Sequence, residues 1–209
     1  MMKITMKNRL TALALCGVLI ITVLTLILIN ANSNKSVKYN TIAADRVQLA
    51  STFEEVEAVS DLIVSAIVNP NKETVRLFHD GLVHFGFTIT ELTITDVFKG
   101  ELRAGDTIKI TEEYFTITDS SNEIYKQGGY MPANGNSEYI FFLKSYAKDN
   151  PYAGMHYPVD LEFGKYSINL PTTLSSRVSS ATLEITSTSF DRYVEFAQKV
   201  SDKYLLNNN

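Results

Sequence analysis

The chain has 209 residues, of which 19 are Lys or Arg and 23 are Asp or Glu; that is enough for one ordinary domain plus a targeting or anchoring segment, and too little for two domains. Every acidic residue lies after position 30, whereas Lys3, Lys7 and Arg9 precede it, so the remainder carries 16 basic against 23 acidic groups. A net-acidic surface matches a phosphate backbone poorly, because that affinity comes from Lys and Arg displacing counterions, and nucleic acid is not an expected partner.

Residues 1–9 form a short basic N-terminus, expected on the cytoplasmic side. From Leu10 to Ile29 there are twenty residues without a charge, a length that spans a bilayer. A secretory signal has a shorter apolar core of about 7–15 residues, so an uncleaved single-pass anchor is favoured over a signal cleaved near Ile29-Asn30-Ala31. Either one exports the rest, as a membrane protein or a secreted one. Leu13-Ala14-Leu15-Cys16-Gly17 has the outline of a lipoprotein processing box, but Leu15 is bulky and the apolar run continues beyond Cys16. An ordinary membrane-embedded cysteine is the better reading. As Cys16 is the only cysteine, the exported part forms no disulfide within itself, and its 11 Phe and 11 Tyr must supply the core. This pattern suits the surface of a Gram-positive-type bacterium.

Residues 30–50 begin polar and rich in Asn, Ser and Lys, and are expected to form a stalk. The domain proper is expected over 51–206. Ser51-Thr52-Phe53-Glu54-Glu55 has the spacing of a capping box and predicts a short helix to about Val59. Leu62 to Val68, dominated by β-branched residues and bounded by Asn69-Pro70-Asn71, predicts a buried strand. Phe85 to Phe98 alternates, with odd-numbered apolar positions at Phe85, Phe87 and Ile89 and even-numbered ones at Leu92 and Ile94; an inserted residue near Thr90-Glu91 would reconcile them, so a bulge is expected there. Gly100 and Gly105 mark turns before a strand at Thr107 to Thr111.

Glu112 to Ser137 reads as a long irregular loop. Glu138 to Lys144 is too apolar to be half exposed and predicts a central strand. Pro151 to Pro158 reads as a second, aromatic loop, and Leu161 to Leu170 as a closing hairpin. Phe190, Tyr193, Val194, Ala197, Val200 and Tyr204 recur at helical spacing and predict an amphipathic C-terminal helix. Residues 207–209 are an Asn tail expected to be disordered.

Three segments carry a family likeness: Ser60-Asp61-Leu62-Ile63-Val64, the stretch from Val97 through Lys99-Gly100-Glu101 to Ile108, and the stretch from Asn136 to Lys144. Their order resembles exported proteins of Gram-positive bacteria and is similar, more remotely, to the oligonucleotide/oligosaccharide-binding (OB) type barrel of netrin-like domains and tissue inhibitors of metalloproteases. The resemblance covers about residues 53–170 and implies a mainly β fold, a small five-stranded barrel with flanking helices. Those inhibitors act through an N-terminal cysteine held by disulfides. The exported part of this chain has no cysteine, so the resemblance implies a fold and no functional residue.

The chemistry-bearing residues are few. His79, Asp80 and His84 are clustered in sequence and His156 is remote from them; a metal site needs three or four converging ligands, so surface histidines are expected and no metal or other cofactor is implied. Glu112 and Glu113 are adjacent on a strand and point to opposite faces, which separates them as an acid/base pair and leaves a solvated strand end. Gly128-Gly129 and Asn134-Gly135 precede a strand rather than a helix, so they are turns and not a phosphate loop. No nucleophile motif appears. Loop aromatics are the remaining lead. Tyr125, Tyr130 and Met131 in the first long loop, with Tyr152, Met155 and Tyr157 in the second, suit contact with a protein or a cell-wall glycan, because a Tyr ring can be buried while its hydroxyl stays wet. The expectation is a non-catalytic binding or envelope-associated module. Its rivals are a cell-surface protease inhibitor or hydrolase, and a purely structural envelope component.

Overall fold

A computed structural model describes residues 37–42, 50–169 and 190–206. The apolar run at 10–29 and the tail at 207–209 lie outside these residues. Among the described residues no helix is long and apolar enough to cross a membrane. The domain is mainly β; among the described residues it has nine strands, β1 (Lys38–Ile42), β2 (Leu62–His79), β3 (Leu82–Lys99), β4 (Thr107–Glu112), β5 (Tyr114–Thr116), β6 (Glu123–Gln127), β7 (Glu138–Ser145), β8 (His156–Pro158) and β9 (Lys165–Ser167), and two α-helices, α1 (Phe53–Val59) and α2 (Phe190–Val200).

Five strands close on themselves. β2 pairs with β3, β3 with β4 and β7 with both β8 and β2, all antiparallel, while β4 meets β8 in parallel at Ile110 and His156. β9 adds to β7 over Tyr139 to Phe141. Inside the ring lie Val64, Ala66, Val68, Leu92, Ile94, Ile110, Tyr139, Phe141 and Leu143. The alternate residues of β7, Ile140 and Phe142, face outward into a second core made with Phe53, Val56, Tyr166, Phe196 and Val200. β7 is therefore apolar along its whole length because both of its faces are covered.

The two helices make that cover. Thr52 caps α1, accepting from Glu55 N–H at 3.2 Å while the Glu55 carboxylate takes the Thr52 N–H in return. Phe53 then meets Phe142 and Phe196 edge-on at 5.7 and 5.9 Å between ring centroids. α2 buries Tyr193, Phe196, Ala197 and Val200 and continues into a π turn at Ser201–Leu205. Lys199 reaches Glu54 and Lys203 reaches Glu57, which ties the helices together at the surface.

The structure departs from the sequence expectations at several points. β2 does not stop at Asn69-Pro70-Asn71; it runs on to His79, and those three residues form a bulge, since Val68 pairs with Leu92 and Lys72 with Thr90. The irregularity expected near Thr90-Glu91 is thus at that level of the sheet, but the extra residues belong to β2. β3 itself keeps unbroken register with β4 from Thr88 to Thr93 and sends Thr88, Thr90, Leu92 and Ile94 inward throughout. Phe85 and Phe87 are apolar because the outer face of β3 is covered there as well.

Asp80-Gly81 closes the β2–β3 hairpin with both residues at positive φ, 52° and 77°, the requirement of a type I′ turn, which Gly meets without strain. Lys38–Ile42, expected as part of the stalk, is a strand. The loop expected from Glu112 to Ser137 contains β5 and β6, and β1, β6 and β5 make a small three-stranded sheet. The aromatic loop ends in β8, and Leu161–Gly164 is a 3₁₀ turn before β9 instead of the first arm of a hairpin.

Candidate functional site

The outer face of β3 and β4 carries the candidate site. Alternation along β3 places Phe87, Ile89 and Glu91 on this face, and along β4 it places Lys109 and Thr111 there, with Ile89 opposite Thr111 and Glu91 opposite Lys109; Glu113, just past the end of β4, follows on the same side. The β7–β8 connection folds over it. Three short turns build that loop, with Asn150 N–H bonding to Ala147 O, Ala153 N–H to Asn150 O and Met155 N–H to Tyr152 O. They bring Tyr152 edge-on to Phe87 at 5.0 Å and within 5.7 Å of Tyr146, and Tyr157 within 4.9 Å of Tyr146. The Tyr146 hydroxyl shares a 2.7 Å hydrogen bond with Thr111 Oγ1, which fixes the loop to the sheet.

Three hollows open on this face. An apolar one of about 200 Å³ is lined by Leu77, Phe85, Phe87, Tyr146 and Tyr152, with Asn150 and Glu113 at its polar side. Two more polar ones of about 340 and 350 Å³ share Glu91 and Lys109; one extends to Asn69 and Asn71, the other to Ala153, Gly154 and Met155. A hollow of about 200 Å³ is below the range of about 300–1,000 Å³ usual for a whole small ligand. It suits one side chain or one face of a sugar ring. The polar hollows offer amides, carboxylates and an ammonium for the rest of an extended ligand.

The expected site residues separate into three groups. Tyr152 and Met155 lie in the loop just described, and Tyr157, in β8, joins them through Tyr146. Tyr125 stacks on Phe115 in the side sheet, with centroids 5.6 Å apart and planes 21° apart, and donates to Glu123. Tyr130 is fully buried and belongs to no surface, and Met131 is half-buried beside it with its carbonyl bonded to Lys165 Nζ at 2.7 Å. Tyr146, Phe85, Phe87 and Leu77 were not expected at a site. The odd-numbered phase of Phe85 and Phe87 was their signal in the sequence.

Glu112 and Glu113 are not a solvated strand end. Glu112 has no exposed surface and Glu113 is 3 % exposed, and they do face opposite ways, Glu112 into the ring and Glu113 toward Gln127 Nε2 at 2.6 Å. Glu112 accepts from Lys72 Nζ at 2.8 Å, the Thr90 hydroxyl, the Tyr130 hydroxyl at 2.9 Å and the Ala133 N–H at 2.7 Å. Burial raises its pKa, but the Lys72 and Lys165 ammonium groups, together with the hydrogen bonds from Lys72 and Thr90, outweigh burial and hold the carboxyl below its usual range. The Tyr130 hydroxyl is pushed well up, by burial first and by Glu112 second. With both oxygens saturated, this carboxylate works as an anchor for the 128–137 loop, the role of a satisfied buried network.

His79 and His84 sit near each other at the hairpin tip, 6.0 Å between rings. His156 is in β8, where burial lowers its pKa against the opposing effect of Asp61, and its Nδ1 lies 3.1 Å from Ser145 Oγ. Among the described residues no group of three His, Cys, Asp or Glu converges as metal ligands. No protein-family model matches the sequence, and no curated protein matches it either.

Proposed function

We propose that this protein is a binding module of the OB type, held at the outer face of a membrane by residues 10–29, which takes an extended ligand on the outer face of β3 and β4 beneath the β7–β8 loop. The barrel reading is supported by ring closure through a parallel contact between the third and fifth strands of the ring, β4 and β8. OB-type barrels bind ligands on the face of their second and third strands and on the adjoining loops, which here are β3, β4 and the Tyr146–Met155 loop. The observation that carries the reading is the aromatic hollow of Phe85, Phe87, Tyr146 and Tyr152 beside the polar ones around Glu91 and Lys109. A ligand with one flat apolar element and several hydroxyl or amide groups fits that sequence of surfaces; a cell-wall glycan or a peptide has both. A non-catalytic role is consistent with Glu112, the most shielded carboxylate near the ring, having all its bonding capacity in use.

Tyr152→Ala combined with Lys109→Glu should abolish retention of the purified protein on isolated cell-wall glycan and on envelope peptides, with an unchanged melting temperature. Tyr130→Ala, which removes a buried ring, should instead lower stability and affect binding only through unfolding. Full retention by the folded double variant would refute this site. Externally added protease should remove the domain from intact cells, and protection of the domain would refute the topology.

A further inference from the structure

The β2–β3 hairpin ends in an exposed tip. Its arm is supported as far as Arg76, whose guanidinium donates to Thr116 O at 2.6 Å and pairs with Asp119 at 2.5 Å, and Phe115 of the same side sheet packs on Phe85. Past Arg76 the two strands continue to a tip where Leu77, Phe78 and Leu82 are 48, 66 and 74 % exposed. These side chains are not a one-sided stripe. Phe78 is paired with Val83, whereas Leu82 is paired with His79, so Phe78 and Leu82 belong to opposite faces of the ribbon. A flat protein surface would cover one face; a surrounding apolar medium covers both. The tip residues 77–85 contain no Lys or Arg, and Arg76 is already engaged, so attraction to an anionic surface is not what the tip offers.

The chain enters the domain at this same end. Gly128 N–H bonds to Ile42 O beyond the last residues of β6, and Asn40 Nδ2 reaches Glu123 at its first residue, so β1 runs parallel to β6 and begins at the Glu123 end. Ile124 is paired there with Thr116, the residue that Arg76 holds. Tyr39 and Ile117, each more than 40 % exposed, add to the apolar surface at this end. Eight residues, 30 to 37, separate the apolar run from β1, a length that reaches about 28 Å at most.

We infer that the tip of the β2–β3 hairpin, with Phe78 and Leu82 as its two apolar sides, dips into the lipid interface beside the anchor and fixes the domain on the bilayer. This rests on the membrane-anchored reading above. The partner is the acyl and glycerol region of the bilayer; the two apolar sides flank the exposed Asp80 carboxylate at the turn, so the contact does not call on anionic headgroups. Full burial of a Phe or Leu side chain shifts such an equilibrium by about tenfold or more, so losing both should reduce the docked population by about a hundredfold.

The test uses the full chain with Cys16→Ala, reconstituted into phosphatidylcholine vesicles and, separately, into vesicles containing phosphatidylglycerol, each carrying a lipid-borne quencher. A fluorophore is placed at His79→Cys in one sample and at Glu101→Cys, at the other end of β3, in another. Quenching at position 79 in the phosphatidylcholine vesicles, with none at 101, and its loss on adding Phe78→Ser and Leu82→Ser, is the expected result. A chain that floats with the vesicles but shows no quenching at 79 overturns the inference alone; so does a tip label shielded from an aqueous quencher yet untouched by the lipid one, which would assign the tip to a second copy. Quenching confined to the anionic vesicles overturns the apolar basis of the contact. A chain that fails to float with vesicles overturns the anchored reading itself.

Discussion

Replacing Glu112 by Gln tests whether the buried network holds the domain together. The amide keeps the shape of the side chain but loses its charge, and its NH2 group must face at least one of four donors, from Lys72, Thr90, Tyr130 and Ala133. Removing one member of a buried ion pair costs about 3–5 kcal/mol. The Lys72 side chain is 17 % exposed and recovers part of its hydration, so the expected loss is near the lower end, about 3 kcal/mol. The pH dependence follows from the depressed carboxyl pKa. An ionised Glu112 contributes stability above the unfolded-state pKa, about 4.3, and that contribution is lost as pH falls through the lower folded-state value. Urea unfolding of parent and Glu112→Gln at neutral pH and at successively lower pH should therefore show a gap that narrows on acidification. Adding Lys72→Met to Glu112→Gln should cost less than the two single changes summed, because the ammonium no longer lacks its partner. A Glu112→Gln protein within about 0.5 kcal/mol of the parent at neutral pH would refute the reasoning.

Two further changes address packing. Phe142→Ala removes the ring that meets Phe53, Tyr166 and Tyr204, each at 5.7 or 5.8 Å between centroids, and should cost about 3–5 kcal/mol, read from denaturant midpoints. Gly86→Ala would place a methyl 2.7 Å from both Phe115 Cγ and Val75 O; it should destabilise by about 1–3 kcal/mol and speed amide exchange first in β5, since the side sheet is what must move.

Much of the framework was legible because its signals are local. The capping box at Thr52 and Glu55, the unbroken apolar run of β7, the turn glycines before β4 and the helical spacing of Tyr193, Ala197 and Val200 all act within a few residues. Phe196 was missed because it widens the buried stripe to meet Phe53 and Phe163. The site was less legible. Tyr130 and Tyr152 look alike in sequence, two tyrosines in Gly- and Pro-marked loops, yet one is fully buried against Glu112 and the other lies against Phe87 at the outer face.

The sequence by itself determined the β-rich class, the two helices, the central strand and the separation of Glu112 from Glu113, because alternation and capping are properties of neighbouring residues. Only the tertiary structure decided that Glu112 is buried, that β2 continues through Pro70 and that Lys38–Ile42 is a strand. A carboxylate survives burial only if a cation is brought to it, and its cation, Lys72, comes from another strand forty positions away. Pro70 is tolerated within a bulge that leaves it outside the ladder, and β1 exists because β6 is there to pair with it. Each of these outcomes depends on a partner distant in the chain, which no local pattern encodes.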